Sequence, residues 1–387
     1  MLIVFKDVLL VTPFYDPNIV GGAEVSTQIL AEGLCGRADV LTFCPHGKHR
    51  VLNGVDIYEM DAVPSMAQLW QTQLGQDCRE SRANRIKRYR LSTFPDQRVT
   101  AKYLEFLNKH DYKCIILNTN EDIMARPSLW KASNASGAKV ILTLRDPMLV
   151  SRKNSYILSK IYRSIVTRQM KWIDRFVAPS RYMIELYAKN GLHKERSVVI
   201  PNAVDMPVTK NVAFSKKAGV IYAGSIRSEK GVLTLVDASK HFHRNERLEL
   251  IGRGPLSDSC KAMDNIVVID WMEKSKLYSR IAEKKVLVLP SEWPEAFGRV
   301  LIEAVNSGTL IVGSRVGGIP EILEGDERYL FRQGDSCELA NRVNRILGLD
   351  SEEYEKELHD LRKRFERYSL KHYIHGWSTL IDEVCQA

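Results

Sequence analysis

Two glutamates eight positions apart, Glu295 and Glu303, bracket the run Ala296, Phe297, Gly298, Arg299, Val300 in the stretch SEWPEAFGRVLIEAVNSGTLIVGS. An ionised carboxylate accepts paired hydrogen bonds from a vicinal diol, so carboxylates at this spacing can read the hydroxyls of a bound polyol. A helical pattern begins around Gly298 and runs to Asn306, and Gly308 stands where a C-cap glycine belongs. The backbone N–H groups of Phe297, Gly298 and Arg299 fall at that helix start, where they precede the intrahelical ladder and favour an anion. A second stretch, YAGSIRSEKGV, places Gly224 at a strand end, then Ser225, Arg227 and Lys230 on the loop before a helix. Two cations on such a loop suit a diphosphate. Each stretch has a plainer reading, a solvated Glu pair on an amphipathic helix and surface cations. The plainer reading leaves Gly298 and the Gly317-Gly318 pair without a purpose.

Two glycine turns add weaker signals. Gly21 and Gly22, after VTPFYDPNIV, permit close backbone approach at the start of a helix, a phosphate site or a simple glycine cap. The pattern is not G-x-G-x-x-G and lacks a P-loop Lys-Ser/Thr, so neither dinucleotide binding nor ATP hydrolysis follows. IGRGP brings Gly252 and Arg253 to another strand end, and Met272, just beyond NIVVID, joins the ligand-binding candidates.

These residues need a frame. Short apolar runs at 7–12, 114–119, 139–144, 175–180 and 197–202 read as buried parallel strands, with helical patterns at 22–35, 97–109, 156–173 and 181–190 between them. The rhythm restarts with strands at 219–224, 247–252, 265–270, 285–290 and 309–314. Two separate strand–helix–strand series predict an α/β protein of two doubly wound Rossmann-like domains facing a cleft. The joint falls in PNAVDMPVTKN, giving an N-terminal Rossmann-like domain over 1–203 and a C-terminal ligand-binding domain over 204–368. Ligands of such sheets sit beyond the carboxyl ends of the strands, and every motif above lies on a strand-end loop.

Composition narrows the classes. A chain of 387 residues with 44% hydrophobic content is long enough for two soluble domains. No apolar run reaches the ~18 residues of a membrane span, and Lys6 and Asp7 interrupt the N-terminal run, which reads as a buried strand rather than a leader. Seven scattered cysteines without C-x-x-C spacing point to reduced thiols in the cytoplasm. His241, His243, His372 and His375 lack zinc-ligand spacing and read as surface or helix-face histidines. A net charge of +9 leaves nucleic acid, phosphorylated small molecules and anionic lipid as partners. No nucleic-acid-binding module is present.

At EAFGRVLIE the chain resembles the retaining glycosyltransferases of family 4, which have the GT-B fold and an E-x7-E signature. VTPFYDPNIVGGAE, VIPNAVD, YAGSIRSEKGV, LIGRGP and GSRVGGIPEIL resemble further segments of that family in the same order. The resemblance implies a sugar nucleotide, with a UDP-sugar favoured, held mainly by the second domain. It implies Lys230 on the diphosphate, Glu303 on the ribose, Glu295 by the sugar hydroxyls and the Phe297–Val300 amides on phosphate and sugar. It also implies transfer with retention and no bound metal or other cofactor, and a closing helix over 369–387 that crosses back to the first domain. Two positions depart from the pattern. Ser225 stands where the family has an arginine, with Arg227 two residues along, and Arg145-Asp146 stands where a His-Asp pair is common. A protonated arginine is no general base but binds phosphate or a hydroxyl.

On the acceptor side, beside Arg145 and Asp146, no acid occurs between Asp146 and Asp174. Arg152, Lys153, Lys160, Arg163, Arg168 and Lys171 do, interleaved with Tyr156, Tyr162 and Trp172, and RESRANRIKRYR (79–90) is similarly basic. This suits a saccharide or polyprenyl-diphosphate-linked acceptor at the inner face of an anionic membrane, or simply a solvated face. The expected activity is a cytoplasmic hexosyltransferase of polysaccharide or glycolipid synthesis. A sugar-nucleotide epimerase of the same fold and a non-catalytic sugar-nucleotide binder are the rivals.

Overall fold

The computed structural model describes residues 6–17, 22–34, 36–44, 48–61, 97–118, 127–145, 167–204, 212–243 and 246–386. The chain forms two compact units, Met1–Ala203 with Leu370–Ala387, and Val204–Ser369.

The first unit is built on β1 (Val8–Thr12), β2 (Ala38–Cys44), β3 (His49–Leu52), β4 (Val55–Asp61), β5 (Cys114–Asn118), β6 (Lys139–Thr143), β7 (Arg175–Ala178) and β8 (Ser197–Val199). Their order is β3-β4-β2-β1-β5-β6-β7-β8. Every pair is parallel except β3–β4, a hairpin whose turn residues Asn53 and Gly54 both have positive φ, 49° and 79°. That is the primed turn whose twist matches the strands. β1 (VLLVT) and β5 (CIILN) are buried at every position, as strands covered on both faces must be. Strand order reverses between them, where Thr12, Thr27, Asn118 and Thr143 form a buried polar cluster. Asn118 donates to Thr27 Oγ1 at 2.7 Å and accepts from Thr143 Oγ1 at 2.8 Å. The Leu370–Gln386 helix belongs to this unit. Its stripe Tyr373, Trp377, Leu380, Ile381, Val384 has helical spacing and joins the core formed by Val8, Leu10, Ile116 and Ile141.

The second unit contains β9 (Val220–Ala223), β10 (Leu248–Ile251), β11 (Ile266–Ile269), β12 (Val286–Leu289), β13 (Leu310–Ser314) and β14 (Leu330–Phe331), in the order β11-β10-β9-β12-β13-β14. All pairs are parallel. This is the nucleotide-binding order, reversing between β9 and β12, and the crevice outside the carboxyl ends of those two strands is where such sheets hold ligands.

Each apolar run read from the sequence contains a strand, and each unit is a parallel-sheet α/β domain. β2, β3, β4 and β14 are additions. The 156–173 helix falls mostly outside the described residues. Its described end carries a short 3-10 turn at Met170–Trp172. His241, His243, His372 and His375 are exposed.

Candidate active site

The loops after β9 and β12 carry the second unit's polar groups, and close backbone packing joins them. After β9, residues Ser228–Lys230 form a 3-10 turn that ends on Gly231, φ 71°. An added Cβ there would lie 1.8 Å from Pro290 O, so only glycine lets the turn lie against the end of β12. The N–H groups of Glu292 and Trp293 then donate to Glu229 O at 3.0 and 2.8 Å. At the neighbouring loop, Gly252 passes so near Gly224 O that a Cβ would lie 2.0 Å from it.

Lys230 and Glu295 meet at the centre of this arrangement. Lys230 Nζ donates to Glu295 Oε1 at 2.6 Å, with the two side chains 31% and 19% exposed. Ser291 Oγ donates to the same oxygen at 2.8 Å. The main chain of Glu295 is held from behind, its carbonyl accepting from Gly318 N at 2.8 Å. Gly317, φ 61°, packs so close that a Cβ would lie 2.2 Å from Glu295 O. The Gly317-Gly318 pair is therefore a backbone seat for Glu295. Tyr222 lies beneath the loop and donates to Ser225 O at 2.7 Å. Burial, reinforced by the Glu295 and Glu229 carboxylates, pushes its hydroxyl pKa up and keeps it a donor.

The helix after Glu295 spans Arg299–Asn306, entered through Gly298 in the left-handed region (φ 92°, ψ 46°). Its first intrahelical bond runs from Leu301 N to Gly298 O. The amides of Gly298, Arg299 and Val300 come before that bond, at the positive end of the helix. Phe297 turns its ring into the core, edge-on to Tyr368 at 5.4 Å, so only its peptide group remains for a ligand. Glu303 and Arg299 lie one turn apart, Oε1 to Nη2 3.6 Å, each 13% exposed.

The second unit's other candidates sit at the margins. Arg227 is 48% exposed, 3.8 Å from the Glu229 carboxylate. Arg253 is committed to Asp270, Nη2 to Oδ2 2.9 Å, and both are largely exposed. Met272 packs its side chain on the domain core. Gly22 and Arg145 belong to the first unit, and Asp146 and Gly21 lie outside the described residues, as do 79–90 and 152–163. Gly22 begins the Gly22–Gly33 helix, its carbonyl accepting from Ser26 Oγ at 2.9 Å. Arg145 lies past the carboxyl end of β6 in a small cavity lined by Thr143, Ala178, Asn202, Tyr373 and Trp377. It donates to Asn202 Oδ1 at 2.9 Å and to Tyr373 OH at 3.4 Å.

The sequence reading did not single out Ser291, Tyr222 or the Thr234–Glu292 contact, Oγ1 to Oε1 2.6 Å. Ser291 has only a weak local cue, a hydroxyl at a strand's carboxyl end four residues before the first glutamate, because serines after strands are common.

The family model described as "Glycosyl transferases group 1" matches residues 208–371, and that described as "Glycosyltransferase Family 4" matches residues 20–207. An uncharacterized 42.6 kDa protein of the Klebsiella pneumoniae cps region is 23% identical over 343 residues, spanning 82% of this chain and 87% of that protein. An uncharacterized glycosyltransferase of Methanocaldococcus jannaschii is 26% identical over 255 residues, covering 63% and 68% of the two chains. Among solved structures, Anabaena HepE in complex with UDP superposes with a TM-score of 0.72 at 17% identity, over 97% of this chain and 100% of that one.

Proposed function

Starting from a chain that belongs to the group 1 glycosyl transferases of GT-B fold, we propose that it moves a hexosyl group from a nucleotide sugar, a UDP-sugar being favoured, to a saccharide or lipid-linked acceptor with retention of configuration. The observation that carries this reading is the Lys230–Glu295 contact at the β9/β12 switch point, next to the start of the Arg299–Asn306 helix. Lys230, with Arg227 and the amides from Phe297 to Val300, takes the diphosphate. Glu295 accepts from the sugar hydroxyls and Glu303 from the ribose diol. The bond from the anomeric carbon to the diphosphate oxygen breaks, and the acceptor oxygen bonds that carbon on the same face. The acceptor's proton passes to the departing phosphate oxygen. A lysine and a helix N-terminus can carry the developing charge without a metal ion, because both are in place before the charge forms.

Support from relatives is of the same kind. HepE was solved with UDP-glucose, and the Klebsiella relative is named for a cps region. In the first unit Arg145 is assigned to the acceptor, as a donor to phosphate or hydroxyl. The basic run from Arg152 to Lys171 supports docking at an anionic membrane, and among the described residues no helix is long and apolar enough to cross one.

The test is incubation with UDP-glucose, UDP-N-acetylglucosamine, GDP-mannose and ADP-glucose in EDTA, without acceptor. Slow release of nucleoside diphosphate from one donor is expected, abolished by Glu295→Ala and slowed through a raised KM by Glu303→Ala. Interconversion of sugars would mark an epimerase, and no reaction with any donor a binder. Flotation with anionic vesicles at physiological salt tests the membrane arm, and failure to float removes it.

A further inference from the structure

We infer that Ser291 is a positioning residue for Glu295, fixing the carboxylate while Lys230 is engaged elsewhere. The inference rests on the donor reading above and adds a residue to it. Glu295 Oε1 receives two donors, Lys230 Nζ at 2.6 Å and Ser291 Oγ at 2.8 Å. Among the described residues no hydrogen bond goes to Oε2, which is the oxygen left for a sugar hydroxyl.

The two donors differ in freedom. Lys230 is 31% exposed at the end of a flexible stem. A diphosphate presents more negative charge than one carboxylate, so a lysine that serves the diphosphate leaves Oε1. Ser291 cannot leave. It is fully buried, and its own carbonyl accepts from Ser314 Oγ, buried on β13, at 2.7 Å. Its hydroxyl has one proton and two acceptors in range, Trp293 O at 3.1 Å and Glu295 Oε1 at 2.8 Å. The shorter, charge-assisted contact takes the proton. With Gly318 N holding the Glu295 carbonyl at 2.8 Å, the main chain and the side chain are pinned by separate groups. Only the serine bond holds the carboxylate orientation once the lysine has turned.

The experiment compares wild type with Ser291→Ala. It measures kcat and KM for release of nucleoside diphosphate from the donor that wild type cleaves, calorimetric affinity for that nucleoside diphosphate alone, and melting temperature. Loss of a hydrogen bond to a charged group predicts a fall in kcat of about 10- to 100-fold. KM, diphosphate affinity and melting temperature should stay within about 2-fold or about 2 °C of wild type, because the lysine and the amides are untouched. A kcat within about 3-fold of wild type overturns the inference. So does a parallel fall in diphosphate affinity and melting temperature, which would make Ser291 a structural residue. A wild type inert toward every donor is a separate failure, which removes the donor reading and this inference with it.

Discussion

Replacing Gly317 by alanine isolates the seat under Glu295. The new Cβ would lie 2.2 Å from Glu295 O and 2.6 Å from Glu295 N. Both are about 1 Å inside the ~3.5 Å at which heavy atoms attract. Both clashing atoms are backbone, so relief requires the Glu295 main chain to move by about 1 Å, carrying the carboxylate with it. A displacement of that size at a positioned group costs roughly 10²-fold in rate. The substitution also places an L-residue at φ 61°, worth about 1–2 kcal/mol of stability. Gly325 separates the two effects, since its φ is 71° but nothing lies within 4 Å of an added Cβ. Gly325→Ala should therefore lose about 1 kcal/mol of stability and keep its turnover. Gly317→Ala should lose that and roughly 10²-fold in kcat. Both are measured by denaturant unfolding and by donor cleavage at saturating donor, well below the melting temperature. If folded Gly317→Ala turns over within about 3-fold of Gly325→Ala, the seat does not control the carboxylate and the reasoning fails.

Two further outcomes follow from titratable groups shifted by their surroundings. Lys217 is 4% exposed, and burial lowers its pKa from 10.5 to about 8. The unfolded chain then binds more protons between those values, so this lysine makes stability rise as pH climbs from 8 to 10.5; Lys217→Met should remove that rise and gain about 1–2 kcal/mol near pH 7, read from urea unfolding at each pH. Cys385 has its pKa lowered by a hydrogen bond from the Cys114 thiol; iodoacetamide should label Cys385 readily near neutral pH, and Cys114→Ala should move the labelling midpoint upward in a mass-spectrometric pH series.

Periodicity carried most of each sheet and failed on one side, at β3-β4-β2 in the first and at β14 in the second. β1, β5, β9 and β12 are unbroken apolar runs because both faces are covered. β2 (ADVLTFC) and β4 (VDIYEMD) carry acids at Asp39 and Asp56, and the acids have partners that no local pattern reveals. Lys6 pairs with both, and Tyr112 donates to Asp39 Oδ2 at 2.7 Å. The β3–β4 turn does carry a local signal, Asn53-Gly54, the strongest short-range hairpin dipeptide. At the site, the glutamates, the lysine and the glycines could be read from residue type and spacing. Ser291 could not, because a serine after a strand is common, and its meaning comes from a contact set by the rotamer of Glu295.

The departures from the family pattern now have a physical form. Ser225 leaves the β9 loop one cation short at the position where the family carries arginine, and Arg227 is the nearest replacement. Its contact with Glu229 is 3.8 Å between half-exposed side chains, an interaction worth no more than about 1 kcal/mol. A contact of that strength does not hold the guanidinium away from a diphosphate, so Arg227 is available to one. Lys230 is the placed one, its turn seated on Pro290 through Gly231. Arg145 is placed as well, by Asn202 and Tyr373. A guanidinium held by two neighbours has only donors to offer, so it can orient an acceptor but not take its proton. In the transfer proposed above the proton goes to the leaving phosphate, so sugar transfer to acceptor, measured as kcat, should survive Arg145→Lys better than Arg145→His.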